Sequence, residues 1–207
     1  MRQTRAESAF RRTRGQSRGH ELVQCCDEDP HFLHNVITGD ESWIFEYDPE
    51  TKTTERRVAH CRFSKEKKKA RMSKSKIKAM LIVFFDAKGI VHHEYVHPGQ
   101  TVTGKFYVQV LQRPNARVNR VRPEIKNSWR LHHDNAPAHT AAVTAAILTK
   151  LGVSVILQPR LGPRRLFLFP RIKRALKGHH LGTLENVKAT ATRCLKGRST
   201  LVVADEF

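Results

Sequence analysis

The feature that most constrains the fold is a pair of apolar runs in the middle of the chain, AMLIVFF and GIVHHEYV, on either side of the turn sequence at 86–89. Such a pair is typical of a β-hairpin. The earlier segment NVITGDESWIFEYD also predicts strand structure, which we interpret as a hairpin turning near residues 39–42. SWRLHHDN and VSVILQP predict two later strands. Trp43 and Trp129 lie in strand runs, and we expect both in the core.

Helical patterns separate the later strands. The segment TGKFYVQVLQRPNARVNRV predicts a helix, which Pro114 should kink or break because proline removes an intrahelical hydrogen bond. A second helix is predicted over 137–150, with a proline in its first turn and with Val143, Ile147 and Leu151 on one face.

A basic helix is predicted from about residue 165 to residue 177. The predicted order is therefore three strands, helix, strand, helix, strand and helix. Strands first, followed by alternation with helices, indicate an α/β fold in which helices cover both faces of a mixed sheet. This is the order expected of a ribonuclease-H-like fold.

Positive charge is the strongest signal in the composition. The chain has 38 Lys and Arg against 19 Asp and Glu, a formal net charge of +19. Such a surplus attracts polyanions, and each cation that meets a phosphate releases a counterion, so DNA or RNA is the favoured partner class. The alternative is that much of this charge belongs to a tail or a solvated face.

A run of Lys and Arg within SKEKKKARMSKSKIK reads as an exposed loop. It could follow a phosphate backbone, act as a nuclear import signal or simply be solvated. The candidate nucleic-acid-binding residues are Lys67, Lys68, Lys69, Arg71, Lys74 and Lys76.

The chain divides into three zones. Residues 1–22 are Arg-rich and lack hydrophobic periodicity, so we expect them to be disordered. We expect residues 23–190 to form the folded domain and residues 191–207 a C-terminal tail. No run approaches the roughly 20 apolar residues of a membrane span, so no membrane partner is expected. The four cysteines lack paired spacing, which predicts a reduced intracellular protein without disulfides.

Two aspartates occupy unusual positions. Asp40 lies inside the apolar run VITGDESWIF, and Asp134 ends the strand segment HHD just before a predicted helix. A carboxylate in or beside a core strand is costly unless it is paired or metal-bound. Two on neighbouring strands can share Mg²⁺ with substrate phosphate oxygens. The residues alone leave two alternatives open: Asp134 as a helix N-cap, and Asp40 as a turn residue beside Gly39.

The sequence resembles the catalytic domain of mariner transposases from about residue 26 to residue 190. Four segments carry the resemblance, in the family's order: VITGDESWIFEYDPETK, KKARMSKSKIKAMLIVFFDAKGIVHHEYVHPGQTV, VRPEIKNSWRLHHDNAPAHTA and LKGHHLGTLENV. The resemblance implies DNA transposition by metal-dependent DNA cleavage and strand transfer. It makes Asp40 and Asp134 the first and second catalytic metal ligands, for Mg²⁺ or Mn²⁺. It also implies a nuclear protein that binds DNA as a homodimer.

The third carboxylate of the family's two-metal site is missing. In the family, this third carboxylate lies roughly 35 residues after the second metal ligand, in a segment resembling QPPYSPDLxPxDFFLFP. This chain has QPRLGPRRLFLFP, which is shorter and places Arg165 at the acid's position. No Asp or Glu occurs between Asp134 and Glu185, and Glu185 matches a family position beyond the site. Since a cationic side chain repels a cation, we expect weak metal binding and little or no cleavage.

Two neighbours of the aspartates have supporting roles in this interpretation. Asn135 is expected to orient Asp134 or to cap the following helix. His139 lies in the first helical turn, where it either positions a DNA phosphate or packs on the helix surface. Glu41 should face away from Asp40 in a regular strand.

Two other functions fit the same sequence. One is a non-catalytic DNA-binding protein that uses the inherited basic surface. The other is a translated relic without function. Salt-dependent DNA binding without Mg²⁺ and without cleavage would favour the first, and a broad, uncooperative unfolding transition would favour the second.

Overall fold

The computed structural model describes residues 29, 32–49, 73–157 and 168–196. In these ranges five strands form one sheet: β1 Val36–Phe45, β2 Lys78–Asp86, β3 Gly89–Val96, β4 Arg130–His133 and β5 Ser154–Leu157. Their order is β3-β2-β1-β4-β5. The pairs β1–β2 and β2–β3 are antiparallel, whereas β1–β4 and β4–β5 are parallel. The sheet is therefore mixed, as predicted.

Five α-helices lie in the described ranges: α1 Gly104–Val121, α2 Pro137–Thr140, α3 Ala142–Lys150, α4 Leu168–Leu176 and α5 Leu184–Lys196. Short 3-10 turns precede β1 and follow α1. The hydroxyl of Thr103 accepts a hydrogen bond from the backbone N–H of Phe106 and so caps the first turn of α1. The helix α5 continues past residue 190, and residues 1–22 lie outside the described ranges.

Both faces of the sheet are buried. Ile82 and Phe84 belong to a core shared with α1 and α3, whereas Leu81 and Val83 belong to a core shared with α4 and α5. Successive strand residues point to opposite faces, so β2 must be apolar at nearly every position to fill both cores. The arrangement is a sheet between two helical layers, and it confirms the predicted fold class.

The strand β1 is continuous over ten residues, so the hairpin predicted near residues 39–42 is wrong. A Cβ atom on Gly39 would lie 2.7 Å from a ring carbon of Phe84 on the neighbouring strand. Gly39 therefore allows β1 to lie close to the Phe84 ring of β2, and it does not form a turn. The interpretation of Asp40 as a turn residue is excluded with it.

The helix α1 runs through Pro114 without a break. Pro114 is buried on the face that packs against the sheet, together with Tyr107, Val110 and Val118. The predicted break is absent because burial of this apolar face outweighs the loss of one backbone hydrogen bond.

The helix predicted over 137–150 is two helices, separated by Ala141 in an extended conformation. The buried residues of α3 are Thr144 and Leu148, and Val143 is 47% exposed. Of the predicted face, Ile147 and Leu151 pack against the core as expected, and only Val143 does not.

The two tryptophans have different environments. Trp129 is 4% exposed and lies in the core, as predicted. Trp43 is 38% exposed, and the ammonium group of Lys78 lies 4.2 Å from the centre of its ring. A core position for Trp43 is therefore wrong, since its side chain alternates with that of the buried Ile44.

In the part of the chain that the structure describes, no helix is long and apolar enough to cross a bilayer.

Candidate active site

The parallel pairing of β1 with β4 brings the two aspartates together. Thr38 on β1 pairs with His132 on β4, and Asp40 and Asp134 each follow two residues later. Paired strands lie about 4.8 Å apart, so the two residues are neighbours at one end of the pair. Asp40 and Asp134 are far apart in the sequence and are neighbours in the structure, as predicted.

Asp40 lies in a strongly acidic environment. Burial raises the pKa of its carboxyl group to about 6, and the negative charges of Glu41 and Asp134 raise it as well. A hydrogen bond from the Glu41 backbone N–H, 2.9 Å from Oδ1, and the charge of His139 act in the opposite direction. A carboxyl group in this position favours binding of a proton or a cation.

Asp134 shapes the turn between β4 and α2. Its Oδ1 accepts a hydrogen bond from the backbone N–H of Ala136 at 2.9 Å. The N-cap of α2 is Ala136, without a side-chain cap, so neither Asp134 nor Asn135 is the N-cap residue. The Asp134 side chain is 53% exposed and remains accessible to a ligand.

His139 connects Asp134 to Glu41. Its Nδ1 lies 2.8 Å from Oδ1 of Asp134, and its Nε2 lies 3.1 Å from Oε1 of Glu41. Burial lowers the pKa of His139, but the hydrogen bond to Glu41 and the charges of both acids outweigh it, so the pKa is raised. The structure therefore favours an imidazolium held between two carboxylates.

The His139 side chain is only 2% exposed, so surface packing on the helix is excluded. Sequence reasoning placed Glu41 on the face away from Asp40 and assigned it no role. Its contact with His139 joins residues 98 positions apart. No local pattern indicates this contact.

Two aromatic rings support His139. Its ring centre lies 4.1 Å from that of Tyr107 and 4.8 Å from that of His133. Burial, and secondly the charge of His139, lower the pKa of His133 to about 4. His133 is therefore neutral at pH 7, and its Nδ1 lies 3.4 Å from the Tyr107 hydroxyl. The stack holds the His139 imidazole in place.

The predicted basic residues are only partly described. Lys74 forms an ion pair with Asp48 at 3.4 Å and lies 4.7 Å from the ring centre of Phe45. Lys76 is exposed. Five further predicted residues lie outside the described ranges: Lys67, Lys68, Lys69, Arg71 and Arg165.

The donor set around Asp40 and Asp134 fits one divalent cation. No group of three or more His, Cys, Asp or Glu side chains in the described residues has metal-binding geometry. Mg²⁺ is usually held by one or two carboxylates, with water and phosphate oxygens as further ligands. Two carboxylates therefore suffice for one ion, but the described residues do not offer the ligands of a two-metal site.

Comparisons with known sequences agree on one family. The family model described as "Transposase (partial DDE domain)" matches residues 46–128. The Mariner Mos1 transposase of Drosophila mauritiana is 34% identical over 166 residues, which cover 76% of this chain and 46% of the relative. Histone-lysine N-methyltransferase SETMAR of Homo sapiens is 27% identical over 178 residues, covering 82% of this chain and 25% of the relative.

Solved structures match over nearly the whole chain. The Mos1 mariner paired end complex with Mn has a TM-score of 0.71 at 28% identity, covering 88% of this chain and 54% of that one. The corresponding complex with Mg has a TM-score of 0.71 at 26% identity, with coverages of 92% and 56%. The catalytic domain of Mos1 alone has a TM-score of 0.65 at 26% identity, with coverages of 92% and 91%.

The aligned residues thus span less than half the length of either full-length relative but nearly all of the Mos1 catalytic domain. The sheet order, the paired aspartates and these matches together identify the chain as a mariner-transposase-like catalytic domain with a ribonuclease-H-like fold.

Proposed function

We propose that this domain binds DNA and one divalent cation, and that it has lost the DNA cleavage and strand transfer of its relatives. One observation carries the proposal. Asp40 and Asp134 lie together at the end of the β1–β4 pair, but no Asp or Glu follows Asp134 before Glu185. A two-metal site needs a further carboxylate to hold its second ion.

Asp40 and Asp134 would hold the single cation, which would be Mg²⁺ or Mn²⁺. When bound, it would neutralise charge on a DNA phosphate. His139 holds the Asp134 carboxylate, and Glu41 keeps the His139 imidazole in place. Arg165, at the position of the family's third acid, would repel a second cation and weaken the first.

Two observations support DNA as the partner. The formal net charge of +19 favours binding to phosphate backbones. The matching Mos1 structures include a paired-end complex with the left transposon end. We extend the proposal to a nuclear homodimer, in keeping with the family resemblance and the basic run before β2.

A nicking assay on duplex DNA with a mariner end tests the loss of cleavage. The unmodified chain should not nick this DNA in Mg²⁺ or Mn²⁺, whereas Mos1 transposase should do so under the same conditions. Nicking by the unmodified chain that Asp134→Ala abolishes would contradict the proposal. A variant with a restored acid at Arg165 and the missing loop residues should regain activity.

Calorimetric titration with Mn²⁺ tests the metal site separately. One weak binding site is expected, and Asp134→Ala should remove it. Unchanged binding in Asp134→Ala would show that the two aspartates do not form the site.

The contact between His139 and Asp134 supports a second candidate, DNA binding without any metal. An imidazolium beside Asp134 already neutralises part of the acidic charge. DNA binding with the same affinity in Mg²⁺ and in EDTA, together with no Mn²⁺ binding, would favour this candidate.

A further inference from the structure

A cavity of about 360 Å³ lies at the edge of the sheet formed by β3. We call it the edge cavity. It is lined by residues 90–93 of β3, by Arg117 of α1, and by Leu195 and Lys196 of α5. Since α1 and α5 belong to the cores on opposite faces of the sheet, the edge cavity wraps around β3. The strand β2 separates β3 from β1, so the cavity is distinct from the site at Asp40 and Asp134.

The edge cavity is positively charged. Arg117 and Lys196 are exposed and project from the two helices that flank it. Within the described ranges, no carboxylate forms an ion pair with either cation. The nearby Glu94 is occupied by Arg113, one helical turn before Arg117, at 2.6 Å. Two cations therefore line the same cavity, and neither has an ion pair with a carboxylate of the described residues.

Two histidines, His92 and His93, also line the cavity. Nε2 of His92 lies 3.3 Å from Oε2 of Glu94, so His92 already has a partner there. Burial lowers the pKa of His93, and the charges of His92 and Lys196 lower it further. Burial is the largest cause of this shift, and the smaller contribution of Lys196 agrees with positive charge at the cavity.

The backbone of β3 disfavours a peptide strand as the occupant. Phe85 pairs with Ile90 and Phe84 pairs with His92, so Val91 is an extra residue in β3. A bulge of this kind interrupts the regular hydrogen-bonding ladder and twists the strand, which hinders the addition of another strand. A compact anionic group fits the irregular edge better than an extended chain does.

We propose that the edge cavity binds a phosphate of a nucleic-acid backbone, held between Arg117 and Lys196. The volume is near the lower end of ligand pockets, roughly 300–1,000 Å³, and leaves room for a phosphate with its sugar. The partner is the class named in the proposed function, but this contact requires no metal and uses none of the acidic residues. It is therefore a second, metal-independent contact with DNA.

The experiment measures binding of a fluorescently labelled 20-base-pair DNA duplex by anisotropy, in EDTA, so that the metal site makes no contribution. The full chain is compared with the double variant Arg117→Gln, Lys196→Gln. A second double variant, Lys105→Gln, Lys150→Gln, removes the same charge from exposed positions on α1 and α3 that do not line the cavity. Circular dichroism and thermal unfolding verify that each variant is folded.

The cavity variant should bind the duplex about tenfold more weakly than the control variant at the same salt concentration. The magnitude of the slope of log affinity against log salt concentration should fall by about one, because one phosphate contact is lost. Equal affinities and slopes for the two variants would overturn the proposal. So would a result in which the cavity variant loses binding of poly-L-glutamate but keeps its DNA affinity, because the cavity would then be a site for an acidic peptide.

Discussion

At the residue scale, the connection from Glu41 through His139 to Asp134 determines the character of the site. Two of its carboxylates share one imidazolium, whereas Asp40 has only a weak charge interaction with it. Of these three carboxyl groups, Asp40 therefore has the weakest interaction with a positive charge. Burial is the largest cause of its raised pKa. A divalent cation would supply the missing positive charge.

The first prediction concerns the free energy of unfolding that the domain loses when the Asp40 carboxyl group is ionised. Its folded-state pKa of about 6 lies above the ordinary value of an aspartate, 3.8, so the folded state binds more protons between these two pH values and stability falls as the pH rises through that range. In EDTA at pH 7, Asp40→Asn should raise the free energy of unfolding by about 1–2 kcal/mol, allowing for solvent screening of this partly exposed group. Urea denaturation between pH 4 and pH 8 measures the difference, which should vanish near pH 4.

Asp86→Asn is the matched control for Asp40→Asn. Asp86 is buried and forms an ion pair with Arg122, with 2.6 Å between Nε and Oδ2. Asp86→Asn should lower the free energy of unfolding at pH 7, whereas Asp40→Asn should raise it. A destabilised Asp40→Asn at pH 7 would show that Asp40 is already compensated without a cation.

The second prediction concerns the contact between Glu41 and His139. A double-mutant cycle of Glu41→Gln and His139→Ala should give a coupling free energy of about 1 kcal/mol or more, since the His139 side chain is buried and charged. Urea denaturation of the four proteins measures it. Glu185→Gln and His139→Ala are the matched pair, because these residues make no such contact, and their effects on the free energy of unfolding should be additive. Additive effects of Glu41→Gln and His139→Ala would contradict the contact between Glu41 and His139.

At the element scale, the close approach of β1 to β2 sets the position of Asp40. Gly39 lies opposite Phe84, whose ring occupies the space of a side chain at that position. Since Phe84 is fully buried under α1, it cannot move without disturbing the core. The close packing of β1 against β2 thereby restricts movement of the strand that carries Asp40.

The third prediction tests this packing. Gly39→Ala should destabilise the domain by about 1–3 kcal/mol, because the added methyl group overlaps the Phe84 ring. Phe84→Leu removes part of that ring, so the double variant should be more stable than the sum of the two single effects. Thermal unfolding of the four proteins measures this, with Ser42→Ala in the same strand as a control of small effect. A neutral Gly39→Ala would show that β1 can move away from β2.

At the scale of the whole molecule, the apolar cores and the acidic residues of the site lie in different places. The apolar residues of five strands and the helices on both faces form the cores, whereas the acidic residues of the site cluster at the end of the β1–β4 pair. The whole chain has a net charge of +19 in spite of these acidic residues. Long-range attraction to DNA therefore does not depend on the metal site.

The fourth prediction follows from that charge. In EDTA, the logarithm of the affinity for duplex DNA should fall linearly with the logarithm of the salt concentration, by roughly a thousandfold between 50 and 200 mM if about six phosphates are contacted. Anisotropy measures the affinity, and Asp134→Ala should leave the slope unchanged. A neutral peptide nucleic acid of the same base sequence should bind negligibly, and equal binding of this probe would contradict the electrostatic origin.

Much of the fold could be predicted because local patterns specify it. The hairpin of β2 and β3 follows from two apolar runs around a glycine turn, and the alternation of strands and helices gave the mixed sheet. The positions of Asp40 and Asp134 in or beside strands left their proximity open, and the family resemblance implied it. Where local pattern and tertiary packing disagreed, packing prevailed, as in the unbroken helix through Pro114.

The sequence by itself determined most of the strands and helices, where the two aspartates stand, and that no acid follows Asp134 in the segment of the family's third ligand. It did not indicate α5 or the break at Ala141. Only the tertiary structure decided that His139 joins Glu41 to Asp134, that Gly39 accommodates Phe84, and that Arg117 and Lys196 line the same cavity at the edge of β3. The physical reason is range. Periodicity and turn chemistry act between near neighbours in the chain, whereas these contacts depend on strand register and on the packing of helices against the sheet.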